Sequence, residues 1–107
     1  MTIKSLNPAT EEVNKEMEAL TDQQALDACK AAKLASRGWN DIGLDARLSY
    51  IKKLATVLRE NKTEYAKLAT LEMGRVLKDG EIEIERCAAL CDMYVQNAAA
   101  WLHEEPV

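Results

Sequence analysis

The chain has no phenylalanine, two tryptophans and three tyrosines. A core without large aromatic rings has to be filled by Leu, Ala, Ile, Val and Met, which suits helices packed side by side. No apolar run is long enough to span a bilayer. The first ten residues, MTIKSLNPAT, carry no apolar signal-peptide core. With no export signal, the three cysteines read as reduced thiols of a cytoplasmic protein. From a single histidine, near the C-terminal end, no Ser/His/Asp or Cys/His set can be argued. Neither G-x-G-x-x-G nor G-x-x-x-x-G-K-[ST] occurs. Basic residues are not in excess either. The formal net charge is -4, and phosphate-backbone binding needs a local surplus of Lys and Arg. The densest basic spots, Lys30/Lys33 and Lys52-Lys53, read as solvated helix faces.

What is present is helical periodicity. At 107 residues the chain is one domain or a piece of one. The longest helix-compatible run is 77–103, where Ile84, Cys87, Cys91, Tyr94, Ala98 and Leu102 recur at steps of three and four. Upstream, residues 2–8 and 11–17 read as two extended segments around Pro8-Ala9-Thr10, a β-hairpin with Val13 and Met17 on one face. Pro8 biases Asn7 away from helix. Thr21-Asp22-Gln23-Gln24 is a capping box, with Leu20 placed to staple against Ala25. The helix it opens carries Ala25, Cys29, Ala32 and Ala35 on a narrow stripe and is expected to stop at Gly38. Asp45 is the expected cap of the next helix, whose apolar face is Leu44, Leu48, Ile51, Leu54, Ala55 and Leu58. Asn61 interrupts it. Thr63 is the expected cap of a third helix that Gly74 ends. Gly80 weakens the start of the long helix, and Pro106 marks its far end. The expected fold is mainly α: a hairpin over 1–20, then about four helices over 21–107. The chain stops at Pro106-Val107 as though cut from something longer.

The chemistry-bearing residues are sparse. Cys87 and Cys91 share a helix face, but His103 lies about 18 Å further along at about 1.5 Å per residue. Two ligands of one zinc sit only about 4 Å apart, so the three cannot close one site. Both thiols read as small buried apolar groups, and His103 as an exposed helix-terminal residue. Glu81, Glu83 and Glu85 offer carboxylates on different faces, which reads as a solvated surface and not as an acid/base pair.

Taken together, the order of short motifs resembles the aldehyde dehydrogenases. NPATEEV at 7–13 resembles the family's opening NPATGEV hairpin. Ala31-Ala32 with Trp39, then Arg47 with Leu54 and Leu58, match the next two helices. TLEMGR at 70–75 resembles TLEMGKP. ERCAALCDMYVQNAAAWLHEEPV at 85–107 is similar to the EKCAWVCDYYAENA of the succinate-semialdehyde dehydrogenase branch. The departures are Glu11 for the turn Gly, which implies a looser turn, Arg75-Val76 for Lys-Pro, which puts the bend after Gly74 in doubt, and Gly80 for a better helix former.

The resemblance implies that these helices belong to the α/β nucleotide-binding domain of a larger enzyme. That enzyme attacks an aldehyde with a Cys, transfers hydride to NAD or NADP, and releases the acid. The nucleophile, the general-base Glu, the oxyanion-stabilising Asn of a W-N-F-P motif and the nucleotide-binding strands would all lie downstream. None of Cys29, Cys87 or Cys91 matches the nucleophile. The segment alone is therefore expected to be inactive and to bind no cofactor. By position, the resemblance also implies a monovalent-cation site from the backbone oxygens of Ser5 and Leu6 and the Glu72 carboxylate, with a further ligand from elsewhere; hard oxygens suit such an ion. Glu72 is otherwise an ordinary exposed residue. Ile82 and Arg86 match positions facing the family's substrate tunnel, against the alternative of plain surface. The expected partners are the rest of the enzyme, or other copies through apolar helix faces left uncovered; a second reading is a stand-alone helical interaction module.

Overall fold

The computed structural model describes residues 1–105; Pro106, the expected end marker of the last helix, lies outside them. The chain forms β1 (Thr2–Leu6), β2 (Val13–Glu18), α1 (Asp22–Asp41), α2 (Leu44–Glu60), α3 (Lys62–Met73) and α4 (Leu77–Trp101). The expected hairpin and four helices are all present, with the strands shorter than read from the sequence.

The hairpin is antiparallel, with Thr2 opposite Glu18 and Leu6 opposite Val13. Its register shifts between Ser5 and Leu6, which leaves Asn14 as the extra residue of a bulge. Strict alternation therefore does not run from Val13 to Met17. The turn is closed, contrary to the looser turn expected of Glu11. The Asn7 N–H donates to the Glu12 carbonyl at 2.9 Å, and the Glu11 N–H donates to the Asn7 carbonyl at 2.8 Å. The cost appears elsewhere: Glu11 adopts φ 61°, in the left-handed region that suits glycine. Glu11→Gly is accordingly expected to stabilise the hairpin by about 1 kcal/mol. Amide exchange within β1 and β2 would slow roughly fivefold. Unchanged exchange would show that φ 61° carries no strain.

The capping box opens α1 as read: the Gln24 N–H donates to Thr21 Oγ1 at 3.2 Å, and the Thr21 N–H donates to Gln24 Oε1 at 2.8 Å. Leu20 itself stays 65% exposed. α1 also runs past Gly38 to Asp41. The left-handed glycines are Gly43 and Gly74, so the chain reverses at Gly43, not Gly38. Gly43, at φ 82°, takes the cap position expected of Asp45, whose side chain makes no capping bond. Asp45 lies instead in the first turn, where a carboxylate favours the exposed N–H end of the helix.

Asn61 both ends α2 and precedes α3. Thr63, the expected cap, lies inside α3, and its hydroxyl donates to Glu81 Oε1 at 2.7 Å. Gly74 ends α3 at φ 69°, its N–H donating to the Thr70 carbonyl at 2.9 Å. Val76 sits at φ −61° and ψ 129°, the φ a proline ring would lock. The bend before α4 thus survives the loss of the family's proline.

α2 and α3 pack against α4. Among the described residues the buried apolar ones are all small: Ala55, Ala66, Ala88 and Ala98. Gly80 is buried too, against Ala66. It is thus a point of close approach and more than a weak spot in the helix. The inward stripe of α4 is Ile84, Ala88, Cys91, Val95 and Ala98. Cys87, Tyr94 and Leu102, expected inside, are exposed. No residue of α1 is buried. Its C-terminal end touches α2 through the Trp39–Tyr50 ring pair, centroids 5.3 Å apart. The radius of gyration is 18.6 Å, against about 13 Å for a compact chain near this length. The fold is elongated, and broad apolar faces stay open.

Candidate functional site

A groove of about 420 Å³ runs along the N-terminal half of α4, lined by Arg75, Asp79, Ile82, Glu83, Arg86, Cys87 and Leu90. Those on α4 recur at steps of three and one, as one strip of a helix must. Both residues expected at a substrate tunnel, Ile82 and Arg86, are in it. Arg75 and Leu90 join them in the lining, although only Leu90 lies on the steps that run from Ile82 through Arg86. Arg75 comes from the turn before α4, which no helical periodicity covers.

Two guanidiniums line the groove, and only one is neutralised. Arg75 Nε pairs with Glu83 Oε2 at 3.1 Å. Arg86 has no ion pair among the described residues. A free guanidinium beside the apolar walls of Ile82 and Leu90 matches a small molecule with a short aliphatic body and a carboxylate end.

The three glutamates of α4 are not a loose solvated row. Glu81 accepts from Thr63, Glu83 pairs with Arg75, and Glu85 pairs with Arg59 Nε at 2.8 Å. Each therefore ties α4 to a different segment, and none faces another as an acid/base couple. Arg59 also donates through Nη2 to Asp92 at 2.7 Å. Hydrogen bonds to Asp92, and then to Glu85, hold its guanidinium above its ordinary range. This clamp from α2 to α4 fixes the helix that carries the groove. Its partners lie 26 and 33 residues away in sequence, so no local pattern announces it.

The hairpin docks on the last turn of α3, just before Arg75. Ser5 Oγ donates to Glu72 Oε1 at 3.1 Å, and Asn14 Nδ2 donates to the Leu71 carbonyl at 2.9 Å. Ser5, its neighbour Leu6 and Glu72, the residues expected to hold a monovalent cation, therefore meet at one place. Among the described residues, no three His, Cys, Asp or Glu side chains cluster as a metal site. The oxygens expected to hold the ion, the Ser5 and Leu6 carbonyls and the Glu72 carboxylate, would be hard-cation ligands.

The thiols differ from the reading. Cys29 and Cys87 are exposed, Cys91 is half-buried, and none forms a disulfide. His103 is exposed as expected, with Nδ1 2.7 Å from the Glu104 carbonyl oxygen. A second, apolar groove of about 390 Å³ lies between α2 and α4, where Trp39, Leu48, Ile51, Tyr94 and Leu102 line it. Among the described residues, no helix is long and apolar enough to cross a membrane.

The model of the aldehyde dehydrogenase family matches residues 1–107. The succinate semialdehyde dehydrogenase [NAD(P)+] of Escherichia coli K12 is 32% identical over 105 residues, which cover 95% of this chain and 22% of that protein. A probable succinate-semialdehyde dehydrogenase [NADP(+)] of Synechocystis is 27% identical over 107 residues, 100% of this chain and 24% of that protein. Among solved structures, the crystal structure of succinic semialdehyde dehydrogenase from Streptococcus pyogenes with NADP+ matches with a TM-score of 0.91 and 28% identity. It covers 97% of this chain and 23% of that one. The chain thus spans about a quarter of the length of the relatives it matches.

Proposed function

We infer a function from one premise: this chain belongs to the aldehyde dehydrogenase family. It corresponds to the N-terminal part of the succinate-semialdehyde dehydrogenases. We read its role as the outer helical layer on the α/β nucleotide-binding domain of an enzyme that oxidises succinate semialdehyde, or a similar aldehyde, to the acid. The observation that carries this reading is the groove on α4, where the free Arg86 guanidinium stands beside Ile82. In the whole enzyme the aldehyde's distant carboxylate would pair with Arg86 and its methylenes would lie on Ile82. That orients the carbonyl towards residues outside this chain. The three unpaired cysteines fit a cytoplasmic setting.

The described residues do not fit the nicotinamide nucleotide. Their one sheet is a two-stranded antiparallel hairpin, whereas a dinucleotide needs a strand feeding a helix N-terminus through a glycine-rich turn. Nor does a hydrogen bond join any cysteine sulfur to a carboxylate or to His103 among the described residues, so a base-activated thiol has no support here. We therefore hold the chain by itself to be inactive, with NAD or NADP bound by other parts of the enzyme. The oxygens of Ser5, Leu6 and Glu72 do suit a monovalent cation. In that role they would pin the hairpin to α3, completed by at least one ligand from outside these residues.

The test is an assay of the purified chain with succinate semialdehyde and either NAD or NADP. The expected result is no reduced nucleotide above background. Turnover that is abolished by alkylating Cys29, Cys87 or Cys91 would overturn the reading.

A second reading, that of an interaction module, draws on the uncovered apolar faces, with Leu34 75% and Leu102 66% exposed. Faces of that extent associate with the rest of the enzyme or with other copies. Sedimentation separates the two readings. A monodisperse oligomer favours the module, and concentration-dependent, polydisperse self-association favours an outer layer parted from the body it covers.

A further inference from the structure

Two of the three cysteines stand one helical turn apart on α4, Cys91 at the edge of the inward stripe and Cys87 outside it. Cys87 is exposed in the Arg86 groove, and Cys91 is half-buried at the edge of the apolar groove. Neither sulfur is in a disulfide. Side chains four residues apart on a helix have Cβ atoms roughly 5–6 Å apart. With a metal–sulfur bond near 2.3 Å, two sulfurs on one ion lie at most about 4.6 Å apart. The two side chains can converge to that separation without unwinding the helix. A disulfide is the poorer use of the same pair, because its Cβ atoms must approach to about 3.8 Å.

The surroundings select the ion. Among the described residues no third Cys, His, Asp or Glu joins the pair in a metal-binding cluster. A tetrahedral zinc site needs four ligands and a catalytic one three, so zinc is poorly served. Ions content with two soft ligands are well served, and thiolates favour Cu(I) among the biological metals.

We propose that Cys87 and Cys91 form a two-thiolate site for a soft, low-coordinate cation of the Cu(I) class. Binding forms two Cu–S bonds and releases the two thiol protons to solvent. No electron is transferred. Cys29, alone on α1, takes no part. Cys87 lines the Arg86 groove, but neither Ile82, Arg86 nor the oxygens of Ser5, Leu6 and Glu72 serve as ligands, and metal binding is read separately from turnover.

The experiment is an anaerobic titration of the reduced chain with Cu(I) against a colorimetric Cu(I) chelator, repeated with Zn(II). The expected result is one Cu(I) per chain and no comparable retention of Zn(II). Cys87→Ser and Cys91→Ser should each weaken binding at least tenfold, while Cys29→Ser leaves it unchanged. Glu83→Cys in the Cys91→Ser background rebuilds a pair one turn earlier, with Cys87, and should restore binding. Circular dichroism on each variant ties any loss to the ligand and not to the helix. Binding that persists in Cys87→Ser, that follows Cys29, or that needs two chains per ion would overturn the proposal, as would failure of the relocated pair.

Discussion

Gly80→Ala is expected to destabilise the chain by about 1–2 kcal/mol, although alanine is the better helix former by close to 1 kcal/mol. The sign is set by packing. A Cβ at position 80 would stand 3.1 Å from the Ala66 Cβ, 3.2 Å from its Cα and 3.4 Å from its carbonyl oxygen. Two of those atoms are backbone, so no rotamer change relieves the contact. α3 and α4 must separate by a few tenths of an ångström along their shared face. Overpacking of that kind costs about 1–3 kcal/mol, which exceeds the propensity gain. Gly38→Ala supplies the contrast: it sits inside α1 with nothing within 4 Å of its would-be Cβ. There the propensity gain should appear alone, up to about 1 kcal/mol. Thermal midpoints of the two variants should move in opposite directions, by about 4–8 °C per kcal/mol for a domain slightly smaller than this one. If Gly80→Ala is stabilised as Gly38→Ala is, the close approach of α3 and α4 is wrong.

Gly74→Ala should lose about 2 kcal/mol for two separable reasons. The first is backbone. Gly74 holds φ 69° where α3 ends, and a Cβ in that region costs about 1–2 kcal/mol. The second is contact. The same Cβ would lie 3.1 Å from Cγ of Pro8, the residue at the hairpin turn. Gly74→Asn distinguishes them. Asparagine tolerates the left-handed region, so it recovers part of the first cost while keeping the second. Hydrogen exchange then reads where the damage falls. Both variants should raise exchange in β1 and β2, because the hairpin is held to α3 by little more than Ser5–Glu72, Asn14–Leu71 and the Pro8 contact. Exchange confined to α3, with the strands unaffected, would mean that the hairpin does not rest on this turn.

Both substitutions probe glycines that sequence reading handled unequally. Gly74 was legible, since a glycine after a periodic run is the ordinary helix terminator. Gly80 was legible only as an oddity, because the atom that forbids a side chain there belongs to Ala66. Gly38 misled for the converse reason: glycine permits a left-handed turn without requiring one, and Gly43 took that role five residues later. Asp45 and Thr63 failed as caps in the same way. Each is a good capping type placed slightly inside a helix whose start was fixed by its neighbours. The expected α4 stripe has the right period and is half right in place: Ile84, Cys91 and Ala98 point inward, with Ala88 and Val95 where Cys87 and Tyr94 are expected. Cys87, Tyr94 and Leu102 are as apolar as the residues that point inward, so hydropathy could not choose between adjacent strips.

The candidate sites divide along the same line. Ile82 and Arg86 could be paired from spacing and resemblance, since one helix carries both. The company they keep, Arg75 from the preceding turn and the Arg59 clamp to Glu85 and Asp92, joins residues that only packing brings together. Ser5 and Glu72 are 67 residues apart, and their meeting depends on how the hairpin docks.

By itself, then, the sequence settled the hairpin, the number of helices and the family, because these follow from local periodicity, capping chemistry and an ordered series of short motifs. Tertiary structure decided which face of α4 is buried, why position 80 must lack a side chain, and which carboxylates and thiols stay open to ligands. Those depend on distances between atoms far apart along the chain, and a one-dimensional pattern carries no information about which of two similar faces will find a partner.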